Sequence, residues 1–445
     1  MKQDLTTGNI TSSLLRFAFP MMIGNLLQQC YNIADTLIVG QFLGKEALAA
    51  VGSAYSLMTF LTSILIGLCM GSGVKFSICY GGRDSDGLKS AVFHAFLLIA
   101  AITAALNIAV FIGLDPIMYF LNVPQEVYPM MRDYLWVIFF GIAAVCLYNF
   151  FTALLRAVGN SLTPLIFLAV SSVLNVILDL LFVVTFPFGI QGAAFATVLS
   201  QFVSGIGLMI YALIRFPDLR VGRKHMKPDR RVLKEIAGFS VLTCLQQSVM
   251  NFGILLVQGL VNSFGPVIMA AFAAAVKIDS FAYMPVQDFG NAFSTFIAQN
   301  YGAKKEDRIR KGTRRAVLLT VAFSAAVSVI VFVFARPLML IFVRPEETEI
   351  IAAGVSYLRI EGSFYILIGI LFLWYGFYRA IRRPSMSLIL TIISLGTRVA
   401  LAYALSAVPQ IGVTGIWVSV PIGWFLADAV GLICYRIRKK QHISR

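Results

Sequence analysis

Charge is scarce in this sequence: of 445 residues only 13% are Asp, Glu, Lys or Arg, while 59% are apolar, against roughly 45–50% in a soluble globular domain. That excludes most soluble folds. Histidine is rarer still, and the three present (His94, His225, His442) are scattered. The six cysteines (Cys30, Cys69, Cys79, Cys146, Cys244, Cys434) fall inside apolar stretches without a CxxC pair, so neither a metal site nor a disulfide framework is indicated. No GxxxxGK[ST] sequence occurs, so ATP does not drive the chain by itself, and nothing resembles a nucleophile triad. The expectation is a protein that is not an enzyme and carries no cofactor. MKQDLTTGNI, the first ten residues, has no cleavage signal behind it, which predicts that the first apolar segment is retained as a helix.

What is abundant is apolar sequence in long runs. Twelve runs between residues 14 and 435, each bounded by charge or turn residues, predict an all-α polytopic membrane protein with twelve transmembrane helices. The formal net charge is +15, and most of the Lys and Arg fall in alternate gaps, while the other gaps hold only Lys45, Arg132 and Arg344. The positive-inside rule then puts both termini in the cytoplasm and makes the charge topogenic rather than a nucleic-acid site. Contact of this basic face with anionic membrane lipid, at roughly 1 kcal/mol per residue, is an aid to orientation.

The longest basic stretch, RFPDLRVGRKHMKPDRR, falls midway and divides the chain into an N-lobe (1–215), a cytoplasmic linker (216–233) and a C-lobe (234–445). The lobes are similar: Tyr80-Gly81 falls on Tyr301-Gly302, Tyr134-Leu135 on Tyr357-Leu358, Arg156-Ala157 on Arg379-Ala380, and Gly192 on Gly415. Two pseudo-symmetric six-helix lobes about a central cleft are implied, with access alternating as one rocks against the other. Gly71-Ser72-Gly73 reads as a place of close helix packing.

An ionisable residue at a bilayer helix centre costs roughly 2.5–3.5 kcal/mol, so each one inside a run is informative. Helix one carries Asn25, Gln28, Asn32 and Asp35 on one stripe, with Tyr31 four residues before Asp35; helix five carries Ser171, Asn175 and Asp179 on another. At about 1.5 Å per residue, Asp35, Asp179 and Thr197 of helix six lie at similar depth. Convergence of two carboxylates, an amide and a hydroxyl would hold a proton or oxygen-ligate a small cation such as Na⁺. Pro20 should bend helix one. In the C-lobe, Gln247, Asn251 and Gln258 share a stripe, and Lys277, Asp279 and Asp288 follow on helix eight. Gln28, Asn32, Gln247, Asn251, Lys277, Asp288 and Arg398 are the candidate substrate-cavity residues, with Glu361 or Asp428 as a partner for Arg398.

The sequence resembles the multidrug and toxic compound extrusion (MATE) family over nearly its whole length. The resemblance is carried by LLRFAFPMMIGNLLQQCYNIADTLIVGQFLG with Pro20 and Asp35, by SSVLNVILDLLFV with Asn175 and Asp179, by GIQGAAFATVLSQ with Thr197, and by the repeated Tyr-Gly. Within the family it looks like the DinF-like bacterial branch. The resemblance implies a monomeric multi-pass protein of the bacterial cytoplasmic membrane that exports small organic, cationic or amphiphilic compounds in exchange for H⁺ or Na⁺. It also implies cation coupling at Tyr31, Asp35, Asn175, Asp179 and Thr197, with bending of helix one at Pro20. Another branch relies on acidic residues in helices seven and ten; here helix seven has Gln246 and Gln247, and position 368 is Ile. The alternative is a flippase for lipid-linked oligosaccharide, or an exporter of another organic solute, from the same superfamily; Lys277, Arg359 and Arg398 favour it and the two aspartates oppose it.

Overall fold

The structure is a computed structural model that describes residues 3–120, 123, 125–186 and 188–443. The extreme ends of the two expected lobes, residues 1–2 and 444–445, lie outside them. No strand occurs among the described residues. In chain order the helices are α1 (Ile10–Phe42), α2 (Gly44–Gly81), α3 (Ser85–Ile112), α4 (Leu114–Phe120), α5 (Tyr128–Ile138), α6 (Gly141–Ala157), α7 (Leu162–Asp179) and α8 (Gly189–Arg215). They continue with α9 (Arg230–Asn262), α10 (Pro266–Gly302), α11 (Glu306–Val333), α12 (Ala335–Met339), α13 (Thr348–Gly362), α14 (Tyr365–Ala380), α15 (Pro384–Ser406) and α16 (Thr414–Ile443). A π-helical turn, Leu180–Thr185, extends α7.

Ten of these helices are long and apolar enough to cross a membrane. The pairs α5–α6 and α13–α14, bent by 45° and 52°, each make one further broken span, which gives twelve. The sequence leads one to expect the fourth and tenth spans to be continuous, and the structure corrects this. At the first break Phe140 N–H donates to the Val137 carbonyl, an i−3 bond that tightens the turn, and the Phe139 carbonyl accepts from the side-chain amide of Asn107 at 2.9 Å. At the second, Phe364 N–H donates to the Glu361 carbonyl and the Ser363 hydroxyl to the Arg359 carbonyl. Freed backbone groups at membrane depth are tolerated only when re-satisfied in this way.

The repeat extends to backbone detail at the helix ends. Arg83 and Lys304 both take positive φ, at 56° and 57°, just past α2 and α10. Each is followed by the same closing bond, Asp84 N–H to Cys79 and Lys305 N–H to Asn300. After α6 and α14 the corresponding left-handed residues are Gly159 (φ 80°) and Arg382 (φ 65°). One copy therefore uses glycine where the other strains an arginine.

The described chain divides into two compact units. Unit 1 is essentially Phe19–Cys244 with residues 3–6 and Gly302–Lys304; unit 2 is Thr7–Ala18, Leu245–Tyr301 and Lys305–Arg445. Within unit 1, α2 lies against the first half of α9. A Cβ on Gly71 would overlap the Phe239 backbone, and one on Gly67 would overlap that of Cys244. The Ser72 and Ser240 hydroxyls meet at 2.7 Å and Lys75 pairs with Glu235 at 2.8 Å. The basic linker is tied to α3 by two histidines: His225 contacts Asp86 at 2.8 Å, and His94 accepts from Asp229 N–H at 3.0 Å. Asp229 caps α9, and the Arg231 and Val232 amides hold its carboxyl below the usual range. In unit 2 the core centres on Phe272, Tyr357 and Trp417, with Phe272 and Trp417 stacked 5.5 Å apart.

Candidate functional site

Unit 1 contains a polar cluster built from three of its helices. α7 contributes Asn175 and Asp179, which are 2% and 0% exposed. α1 contributes Tyr31 and Asp35, and α8 contributes Thr197. Asp35 and Asp179 are close enough to interact, and Tyr31 and Tyr134 interact with both. The Asn175 side-chain amide reaches the Thr197 hydroxyl at 3.4 Å, a long bond. All five residues expected at this site are therefore brought into one unit, as far as their described interactions reach.

The acceptors in this cluster outnumber its donors. Both Asp179 oxygens, Asp35 Oδ1 and Asn175 Oδ1 are buried without a hydrogen-bond partner. A buried carboxylate in that condition carries a heavy desolvation cost, and two side by side repel. A shared proton or a small oxygen-ligated cation relieves both terms. Directly beyond Asp179 the helix widens into its π-turn, where Phe186 N–H reaches back to the Leu181 carbonyl at 2.7 Å. Such turns recur at functional sites.

Tyr134 is missed when residues are selected by polarity alone. It is 7% exposed, sits on α5 in the first arm of the broken span, and faces the carboxylates. The Tyr-Leu repeat points to it, but a tyrosine in an apolar run reads as packing until the fold places it.

The remaining candidates are dispersed. Pro20 lies inside α1, which continues as one helix from Ile10 to Phe42. Gln28 is exposed and Asn32 half-buried in unit 1; Gln247 and Asn251 are half-buried in unit 2. Lys277 and Asp288 sit in different environments on α10, the lysine exposed and the aspartate 3% exposed, with Pro285 between them. Of the two partners considered for Arg398, Glu361 and Asp428, Glu361 is the one whose electrostatics it affects, and it also acts on Asp279.

With this geometry in view, the comparison with known proteins is direct. The MatE family model matches residues 20–181 and 242–404, one segment in each half of the chain. The chain belongs to the MatE family. The "Probable multidrug resistance protein YpnP" of Bacillus subtilis is 29% identical over 97% of this chain and 96% of its own. The "FAD transporter" of Shewanella oneidensis is 26% identical over 99% of this chain and 96% of its own. Among solved structures, a crystal structure of MATE in complex with MaL6 superposes with a TM-score of 0.92 over 99% of both chains at 24% identity, a likeness of fold. The MatE chain described here is thus a multi-pass membrane transporter. Both halves of its family match contain a broken span.

Proposed function

We propose that the protein is an antiporter that exports organic cations and other amphiphilic compounds in exchange for H⁺ or Na⁺, and that Asp35 and Asp179 bind the coupling ion. One observation carries this reading: the buried Asp179 and the half-buried Asp35 on two membrane helices, with three of their oxygens buried and without a hydrogen-bond partner. The name of the YpnP relative supports the class of cargo. Tyr31, Tyr134, Asn175 and Thr197 complete the polar wall. Binding of the ion lowers the affinity for substrate in the state open to the outside, and its release on the cytoplasmic side resets the protein. A ligand shifts such an equilibrium only through its different affinity for the two states. Pro20 gives α1 the place to respond. The protein works as a monomer in the bacterial cytoplasmic membrane with both termini inside. The candidate cavity residues Gln28, Asn32, Gln247, Asn251, Lys277, Asp288 and Arg398 are the first to screen for substrate contact.

The test is uptake of a fluorescent organic cation into proteoliposomes driven by a proton or a sodium gradient in turn. Uptake should follow one gradient and fall at least tenfold in Asp35→Asn, a loss of about 1.4 kcal/mol or more in coupling. Wild-type rates in that variant would sink the assignment. The name of the Shewanella relative favours a second cargo class, organic solutes such as flavin nucleotides, and uptake of FAD in place of the cation would favour that reading.

A further inference from the structure

A basic linker that serves only to orient a membrane protein needs charge and no fixed shape. The linker of unit 1 has a shape, and two of the chain's three histidines hold it. The His94 ring, 3% exposed, donates from Nδ1 to the Ser90 carbonyl at 2.8 Å and accepts the Asp229 N–H on Nε2 at 3.0 Å. His225, 7% exposed, accepts the Gly222 N–H on Nδ1 at 3.1 Å and donates from Nε2 to Asp86 Oδ1 at 2.8 Å. Each ring is therefore a neutral tautomer with both nitrogens engaged. Between these anchors Lys227 is extended (φ −66°, ψ 130°), the conformation favoured before a proline, here Pro228.

The pinned stretch and the first turns of α3 border a cavity of about 720 Å³, whose charged lining is Asp86, Lys224, Lys227, Asp229, Arg230 and Arg231. Four cations face two carboxylates, which leaves a surplus of two positive charges. The carboxylates are already engaged. Asp86 holds Lys224 at 2.9 Å as well as His225, and Asp229 accepts from the Arg231 and Val232 amides as the cap of α9. Lys227, Arg230 and Arg231 form no salt bridge among the described residues. Like charges gathered around one cavity repel, and an anion among them relieves that repulsion.

The donor set selects the anion. Two guanidiniums offer paired N–H groups that match the oxygens of a phosphate, and a lysine adds a point charge. The volume exceeds what a single phosphate ion fills and suits a phosphate that carries a further group. The cavity lies at the ends of two membrane spans, α3 and α9, where hydrocarbon gives way to headgroups and water. Met226 and Leu233, each next in sequence to a lining residue, are 45% and 37% exposed, apolar surface of the kind an acyl chain covers. Because the backbone is fixed before the ligand arrives, little ordering remains to oppose binding.

We propose that this cavity is a phosphate-binding site, occupied by the headgroup of an anionic phospholipid; a free phosphate ester carries the same chemistry. Lys227, Arg230 and Arg231 bind the phosphate, and His94 and His225 are positioning residues that hold the linker around it. The site goes beyond the antiporter reading and does not rest on it, so its test needs no gradient. Native mass spectrometry of the purified full-length protein, offered phosphatidylglycerol and phosphatidylcholine in equal amounts, should show phosphatidylglycerol retained in preference. Lys227→Gln with Arg230→Gln should cut that retention roughly tenfold or more. Arg314→Gln with Arg315→Gln, which removes the same charge from α11, should leave it unchanged. His94→Ala removes no charge yet should weaken retention, and His94→Gln, which restores an acceptor for the Asp229 N–H, should recover it. Calorimetry of the lipid-free protein with glycerol phosphate and with inorganic phosphate distinguishes the sources: binding there, lost in the Lys227 and Arg230 double variant, supports the site with a soluble occupant. Equal loss of retention in the two double variants would reduce the linker to a count of charges and overturn the proposal. So would the absence of both a preference for phosphatidylglycerol and any binding of phosphate. Should the cavity double variant fail to fold, Lys227→Gln alone, at an exposed residue between the 3₁₀ turn and α9, decides.

Discussion

Gly159 shows at a single residue what the loops between spans demand. Its φ of 80° is left-handed, and a Cβ would run into the Gln3 carbonyl, while the Gln3 N–H donates to the Gly159 carbonyl at 3.1 Å. Left-handed backbone costs an L-residue roughly 1–2 kcal/mol. Gly159→Ala should therefore destabilise the protein by about that amount or more, measured as a lower midpoint of thermal unfolding in detergent. Arg382, at the same place in the second copy, already bears the strain, so Arg382→Ala should leave the backbone term unchanged and serves as the comparison. The site residues are unequally legible in the sequence. Asp35, Asn175 and Asp179 stand out because polar atoms at helical spacing inside apolar runs are costly unless they meet one another or an ion. Tyr134 and Tyr357 do not, because an aromatic ring is at home in a core and only its hydroxyl reveals a second role. Glu361 and Asp279 are visible as charges, but their meeting depends on how α10, α13 and α15 pack, which spacing along one helix does not contain.

Among the elements, α2 and α9 meet in a close polar and backbone contact within unit 1. Gly71 leaves no space for a side chain, and the Ser72–Ser240 and Lys75–Glu235 contacts lie within about one turn of it. Gly71→Ala must push the helices apart, an overpacking cost of about 1–3 kcal/mol. At Gly238, in the same stretch of α9, an added Cβ would meet nothing within 4 Å, so Gly238→Ala should be neutral or slightly stabilising in the same unfolding assay. The Gly-Ser-Gly stretch announces close packing without naming its partner. The apolar runs announce the spans in the same partial way. Their number is legible, because length and hydropathy alone set it, but the bends at Phe139–Phe140 and Ser363–Phe364 are not, because both halves of a broken span are equally apolar. The π-turn after Asp179 is equally hidden, since LLFVVT carries no proline or glycine to mark it.

For the whole molecule, the division into units makes a prediction that the lobe boundaries in the sequence do not. The first half of α9, through Cys244, belongs with unit 1, although it follows the basic linker. Joining Ser72 to Ser240 by a disulfide, as Ser72→Cys with Ser240→Cys, should therefore leave gradient-driven uptake at the wild-type rate after oxidation, because both residues belong to one compact unit. Arrest of uptake on oxidation, reversed by reductant, would place a moving joint between α2 and α9 instead.

The same division gives α1 a mechanical character. It is one unbroken rod, yet the piece through Ala18 belongs to unit 2 and the piece from Phe19 onward to unit 1. Curvature in such a rod concentrates where stiffness is least. Pro20 lies one residue past the handover and has no N–H to tie back to the Arg16 carbonyl, so flexing there breaks no hydrogen bond. The rod is thus weakest beside the point where it passes from one unit to the other, roughly four turns from the carboxylate at Asp35. Asp35 lies with Asp179 in unit 1, on the far side of Pro20 from the segment that belongs to unit 2, so flexing at Pro20 does not by itself part the two carboxylates.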